Sequence, residues 1–174
     1  MTREAAATSP LRAFKDPALP LPETCDDERA WLAALRCIPA DRAATLLSVA
    51  RTLCPHDALP DAVYRRVVLQ IDRACEGQPQ ALGWVTESVA ALDAHFGLPF
   101  AGLSESYRVT ALKALAGMPA FRFLQRATVR FLYDDLAVWQ AFGYEGASYP
   151  HGGYVDRGFN DLAWLPPVPL EPLR

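Results

Sequence analysis

Three histidines are the first candidates for acid–base, nucleophilic or metal chemistry in this chain. His56 stands in the run Cys54-Pro55-His56-Asp57, where Asp57 could orient the imidazole as the acid does in a catalytic triad. The alternative is a helix-to-helix turn whose polar side chains only satisfy backbone groups. His95 falls near a predicted helix end, where a positive charge would offset the helix dipole.

His151 is followed directly by Gly152 and Gly153. No G-x-S-x-G nucleophile motif and no H-E-x-x-H zinc motif accompanies it. The glycine pair lacks the preceding strand and the following Lys-bearing helix that a phosphate-binding loop needs. Asp134 and Asp135 could supply two carboxylates, but neighbours on a helix point about 100° apart, which favours a helix-end or turn role. The sequence therefore predicts that catalysis does not reside in this chain.

Four cysteines are present, and no two have the C-x-x-C spacing. Cys37, Cys54 and Cys75 fall on or beside apolar helical stripes, where cysteine behaves as a small hydrophobic residue. Buried thiols are therefore expected for these positions. A disulfide that involves one of them or Cys25, within the chain or to a partner, and a metal site remain open at this point.

Composition favours a single globular domain with a real core, because 174 residues with 51% hydrophobic and 21% charged content are ordinary for that class. The net charge is −3 and the sequence has no Lys/Arg cluster, so nucleic acid is not an expected partner. No apolar run approaches 18 residues, so no membrane span is expected.

The amino-terminal segment Met1–Pro22 has no apolar signal-peptide core, and the adjacent pair Arg65-Arg66 lies inside a helix pattern. The chain is therefore not expected to export itself. A partner that carries the export signal would place it in the periplasm, whereas a complex without one would work in the cytoplasm. An omitted leader sequence is the third alternative.

Apolar side chains recur with helical spacing between prolines and glycines that end each segment. Thr24 and Asp27 resemble a capping box before the first segment. The pattern predicts an all-α fold, a compact bundle of about six short helices over 26–142, between an extended arm at 1–25 and an irregular arm at 143–174. The six helices are expected to begin near Asp26, Asp41, Asp61, Pro79, Ser104 and Pro119, the first of them ending at Pro39.

The segment from Trp139 to Trp164 holds 7 of the 18 aromatic residues and 5 of the 10 glycines. Five glycines and a proline between Gly143 and Gly158 exclude a helix there, and the large apolar side chains argue against disorder. Such aromatic residues need a surface that buries them, which a partner protein could provide. The alternative is that they pack on the chain's own helices, and Trp139 fits this best because it continues a helical spacing.

The ordered aromatic and glycine residues resemble the carboxy-terminal signature of the gluconate 2-dehydrogenase subunit 3 family, the small subunits of bacterial FAD-dependent sugar, polyol and sugar-acid dehydrogenases. The turn at 53–60 resembles a proline-bounded turn of that family more weakly. The matching segments are Phe131–Asp135, Val138–Trp139, Phe142–Gly146, Tyr149–Pro150, Gly152–Tyr154, Gly158–Leu162 and Trp164–Pro166.

The resemblance implies a non-catalytic small subunit that stabilises and helps mature a large catalytic subunit of the glucose–methanol–choline oxidoreductase type. That partner would hold FAD, while this chain would bind no cofactor. Electrons would leave the partner through an iron–sulfur cluster, a cytochrome c or another acceptor. Many family members also carry a twin-arginine signal, which this sequence lacks. The alternatives are a maturation chaperone that leaves its folded client, or a small helical enzyme that uses His151 or His56.

The predicted partner interface combines aromatic side chains, which dominate binding energy at interfaces, with glycines that let the backbone turn or approach closely. After Leu165 the prolines predict a stiff extended arm. The residues assigned to the interface are Trp139, Tyr144, Gly146, Tyr149, Gly152, Gly153, Tyr154, Phe159, Asp161, Trp164 and Pro166.

Overall fold

The computed structural model describes residues 25–155, which contain helices and loops and no β-strand, so the all-α prediction is confirmed. No helix within this range combines the length and the apolar character needed to cross a membrane. Two single-turn 3-10 helices lie at Phe100–Gly102 and Tyr149–His151. The seven α-helices of the range are α1 (Glu28–Ala33), α2 (Ala40–Leu53), α3 (Asp61–Cys75), α4 (Pro79–His95), α5 (Glu105–Leu115), α6 (Pro119–Tyr133) and α7 (Leu136–Phe142).

Helix α6 packs most closely against α4 and α3, and α2 packs against α3 and also contacts α6. The apolar face of α6 is completely buried, with Phe121, Leu124 and Leu132 inside the core. Trp31 of α1 and Tyr64 of α3 are among the largest buried side chains. Each such side chain contributes about 1.5–3 kcal/mol by leaving water, so the core holds the outer elements in place.

Helix boundaries follow the proline and glycine signals of the sequence. Pro79 and Pro119 are the first residues of α4 and α6, as predicted, because a residue at that position needs no backbone N–H. Gly77 follows α3 with φ +68°, a left-handed conformation that glycine adopts without a steric penalty. Ser104 stands at the N-cap position of α5, but its hydroxyl contacts Ser106 Oγ at 3.2 Å instead of capping the backbone.

The prediction that the first helix runs from Asp26 to Pro39 is wrong, since α1 ends at Ala33. The N-cap residue of α1 is Asp27, whose carboxylate accepts a hydrogen bond from Ala30 N at 2.7 Å. The predicted capping box had Thr24 as the N-cap residue, and Thr24 lies outside the described residues. The chain leaves the helix because the next backbone N–H groups turn toward the buried carboxylate of Asp72 on α3.

The helix count also differs from the six that were predicted, because the chain breaks between α6 and α7. Asp134 is the C-cap residue of α6, and Asp135 caps α7 by accepting from Ala137 N at 2.8 Å. The helix-end role predicted for this pair of carboxylates is therefore confirmed. Gly143 closes α7 with φ +70°.

Candidate functional site

The turn between α2 and α3 meets the carboxy-terminal helices at His56, and we call His56, Tyr133 and Phe142 the His56 junction. The Nε2 atom of His56 lies 2.7 Å from the hydroxyl oxygen of Tyr133, at the end of α6. The imidazole also packs against the Phe142 ring of α7, with an edge geometry and a centroid distance of 4.9 Å. Segments more than 70 residues apart in sequence therefore form one polar–aromatic contact.

The buried side chain of Tyr64 on α3 forms hydrogen bonds with the backbone of this turn. Its hydroxyl donates to the carbonyl oxygen of Cys54 at 2.7 Å and accepts from the backbone N–H of His56 at 3.2 Å. Burial raises the pKa of the Tyr64 phenol, so the hydroxyl remains a proton donor at neutral pH. The guanidinium of Arg51 covers the outer face of the ring, 4.7 Å from its centroid. The Tyr64 hydroxyl thus holds the turn at two backbone groups, the carbonyl of Cys54 and the amide of His56.

The triad-like pairing of His56 with Asp57 does not form in the structure: no hydrogen bond joins the two side chains, and His56 Nε2 instead contacts the Tyr133 hydroxyl. The nearest thiol, Cys54, is buried, and burial raises its pKa, which keeps it protonated and weakly nucleophilic. Burial likewise raises the pKa of Tyr133. The junction can therefore share a hydrogen-bonded proton between an imidazole and a phenol, but it presents no activated nucleophile beside them.

A cavity of about 180 Å³ opens beside the turn and includes His56 and Asp57 in its wall. Its remaining wall comes mainly from α2, α3 and the start of α5 and carries both signs of charge, with Arg51, Arg108 and Glu105 among the lining residues. Pockets that bind drug-sized ligands or cofactors usually enclose about 300–1,000 Å³ and are mostly apolar. This small polar cavity fits a few water molecules or the end of a single side chain better than a flavin.

A second aromatic group surrounds Trp139, and we call Trp139, Tyr144 and Gly146 the Trp139 platform. The indole N–H donates to the carbonyl oxygen of Tyr133, and the Tyr144 ring stands edge-on to the indole with a centroid distance of 5.1 Å. Gly146 lies over the same ring with φ +92°. The expectation that Trp139 is the most internal of the aromatic residues agrees with its half-buried position.

Substitution of Gly146 by alanine should destabilise this platform, because the backbone conformation is strained for an L residue and the new Cβ would lie 3.3 Å from Trp139 Cζ3. We expect a loss of about 2 kcal/mol in unfolding free energy, measured by urea denaturation. Gly152→Ala is the matched control, since Gly152 has φ +83° but open space around its Cβ position. Equal losses in the two variants would show that the ring contact contributes nothing.

The remaining interface candidates among the described residues lie at the surface. Tyr149 is 91% exposed and Tyr154 is 62% exposed, so both rings face solvent. Gly152 and Gly153 both have positive φ, and a Cβ added to either would meet open space, so their role here is to turn the backbone. Phe159, Asp161, Trp164 and Pro166, like the proline-rich arm that follows, lie outside the described residues.

Of the remaining candidates, His95 and the cysteines have ordinary structural environments in the range 25–155. His95 ends α4 and packs edge-on against Phe96 at 4.5 Å, and of His151 only the 3-10 backbone is described. All four cysteines are free, and burial raises the pKa of the Cys75 thiol to about 12. No group of three potential metal ligands lies close together in the described part of the chain.

Arginines that are separated in the sequence share one face of α6. Arg122, Arg126 and Arg130 are four residues apart, so helical periodicity places them on one face. The spacing itself was the available signal, and counting adjacent Lys and Arg residues missed it. The contact of His56 with Tyr133 carried no comparable sequence signal, because nothing local relates the two positions.

Comparisons of the chain with known protein families, with characterised proteins and with solved structures find no match. The resemblance to the gluconate 2-dehydrogenase subunit 3 family therefore stays a prediction from the sequence. Independently of that resemblance, the structure shows the His56 junction and a set of solvent-facing aromatic rings that follows α6.

Proposed function

We propose that this chain is a non-catalytic small subunit that stabilises, and helps to mature, the FAD-dependent catalytic subunit of a sugar, polyol or alcohol dehydrogenase. The observation that carries the proposal is the exposed aromatic surface after α6, which includes Phe142, Tyr144, Tyr149 and Tyr154. Contiguous exposed apolar residues on a soluble protein commonly mark an interaction site. Aromatic side chains are also the residues that dominate binding energy at such sites.

The arrangement of the His56 junction supports the same proposal. The turn at 53–60 and the segment that begins at Phe131 are the two parts of the sequence that resemble the small-subunit family, and they meet where His56 contacts Tyr133 and Phe142. One rigid surface can therefore present both to a partner. A rigid surface loses less conformational entropy on binding than a mobile one, which favours a stable complex.

In this proposal the FAD chemistry belongs to the partner, and the shape of the cavity beside His56 is compatible with that division. The cavity beside His56 is about 180 Å³ and polar, which suits neither an isoalloxazine ring nor a sugar held against one. The chain would act by covering and ordering apolar surface of the flavoprotein. Substrate choice would then depend on the pocket of the large subunit.

Loss of the exposed tyrosines should weaken the complex. We expect Tyr149→Ala/Tyr154→Ala to raise the dissociation constant for the large flavoprotein encoded nearest to this chain by about 30-fold or more, as for a hot spot of ~2 kcal/mol. The measurement is co-expression followed by size-exclusion chromatography read at 280 and 450 nm, with affinities from titration of the purified subunits. Tyr107→Ala, an exposed tyrosine on α5, is the control and should bind as the wild type does.

Three outcomes separate the alternatives. Co-elution with a yellow, active flavoprotein, and loss of soluble flavoprotein without this chain, support the subunit proposal. A flavoprotein that needs this chain to fold but elutes without it indicates a maturation chaperone. A flavoprotein that folds and works alone, beside a monomeric chain that turns over substrate through His56, would contradict the proposal.

A further inference from the structure

The solvent-facing side of α6 carries a stripe of arginines. Arg122, Arg126 and Arg130 recur every four residues, so their side chains emerge within one sector of the helix over about two turns. Val129 and Tyr133 are exposed within the same sector. The stripe is therefore both basic and partly apolar, and it leads directly into the His56 junction.

Most of this positive charge has no counter-charge nearby. Arg130 pairs with Asp134 at 3.5 Å, but Arg122 and Arg126 have no hydrogen-bond or ion-pair partner among residues 25–155. Helix α6 contains no acidic residue at all. Like charges four residues apart on a helix repel each other, so this spacing does not serve helix stability. The stripe stands out in a chain whose net charge is −3.

The stripe reaches the exposed aromatic surface at Tyr133, whose ring centroid lies 6.5 Å from that of Phe142. Leu136 is exposed on α7 directly after Tyr133, and Phe142 and Tyr144 follow it. Arginines beside aromatic and aliphatic side chains form the usual composition of a protein–protein contact, in which charged groups surround apolar anchors. Three arginines are fewer than the clusters of about 4–8 Lys/Arg that anionic membranes select, and fewer than the phosphate contacts that nucleic-acid-binding proteins usually make.

We propose that the arginine face of α6 (Arg122, Arg126, Val129 and Tyr133) docks against an acidic patch on a protein partner. The guanidinium groups would pair with Asp or Glu carboxylates, which match their planar donor geometry. This inference rests on the proposed function, because the partner it describes is the flavoprotein subunit. It adds the chemistry of the contact, namely carboxylates placed beside an apolar strip.

Charge reversal tests the contact directly. In titrations at low salt, Arg122→Glu/Arg126→Glu should raise the dissociation constant for the flavoprotein at least tenfold, and the salt dependence of binding should fall. Arg29→Glu/Lys113→Glu changes the net charge equally at exposed positions on α1 and α5, and should leave affinity within threefold. Circular dichroism should confirm that both variants fold, because all four side chains point into solvent. An equal effect of the two variants would overturn the proposal.

A second probe keeps this inference separate from the proposed function. Immobilised poly-L-glutamate should retain the wild-type chain at pH 7 and low salt, despite the net negative charge of the chain, and should release the Arg122→Glu/Arg126→Glu variant. Absence of wild-type retention, or tighter binding to phosphatidylserine vesicles or to duplex DNA, would overturn the proposal. If the wild-type chain ignores the flavoprotein but is held by polyglutamate through α6, the proposed function fails while the carboxylate-binding face stands.

Discussion

Replacement of Asp72 by alanine should lower the free energy of unfolding by about 3 kcal/mol or more. The Asp72 side chain is buried on α3, and its carboxylate accepts the backbone N–H groups of Arg36, Cys37 and Ile38 at 2.7–2.9 Å. Removal of the carboxylate leaves these donors without their acceptor, and each unsatisfied buried group costs about 1–3 kcal/mol. Because this segment connects α1 to α2, both helices should loosen.

Urea denaturation of two further variants distinguishes this explanation from a general effect of charge removal. Asp72→Asn keeps one acceptor oxygen and should show an intermediate loss. Glu76→Ala removes the neighbouring carboxylate, which forms an exposed ion pair with Arg36 at 3.1 Å, and should cost less than about 1 kcal/mol. If Asp72→Ala costs no more than Glu76→Ala, the three hydrogen bonds do not stabilise the fold.

Removal of the Asp135 carboxylate is the change with the next largest expected effect, about 3 kcal/mol. Asp135 Oδ2 accepts from Arg66 Nε at 2.6 Å, and its side chain is only 6% exposed. The other oxygen caps α7 through Ala137 N. Loss of one partner of a buried pair leaves the other charge uncompensated, which usually costs about 3–5 kcal/mol. The Nη2 atom of Arg66 already lacks a hydrogen-bond partner, so we expect the lower end of that range.

A double-mutant cycle measures this pair separately from the helix cap. Asp135→Asn retains an oxygen for Ala137 N but loses the negative charge, and Arg66→Met removes the opposite charge. The double variant should be more stable than the sum of the single losses predicts. Additive losses would mean that the ion pair does not fasten α7 to α3. Loosening of α7 should also disturb Trp139 and Phe142, so the Asp135 variants should bind the partner less tightly.

Much of the fold could be predicted locally. Proline and glycine act through their own backbone geometry, so Pro79, Pro119 and Gly77 mark helix ends whatever surrounds them. Helical periodicity likewise assigns the buried face of α6 without knowledge of its neighbours. The end of α1 was predicted wrongly because it depends on Asp72, a carboxylate more than 30 residues away.

The candidate site also has features that could be predicted from the sequence and features that could not. The concentration of aromatic and glycine residues after Trp139 is visible in the sequence, since composition alone excludes a regular helix there. The role of Gly146 was not visible, because its close approach is to the chain's own Trp139 ring. The hydrogen bond between His56 and the Tyr133 phenol could not be predicted either, because it exists only when α6 lies beside the α2–α3 turn.

The all-α class, most helix ends and the location of the aromatic residues are local properties, because they follow from side-chain period and from the backbone limits of proline and glycine. The end of α1, the separation of α7 from α6 and the contact of His56 with Tyr133 and Phe142 became visible only in the folded chain. Those features depend on hydrogen bonds and ion pairs between distant residues, whose formation requires the packed core to bring the partners together.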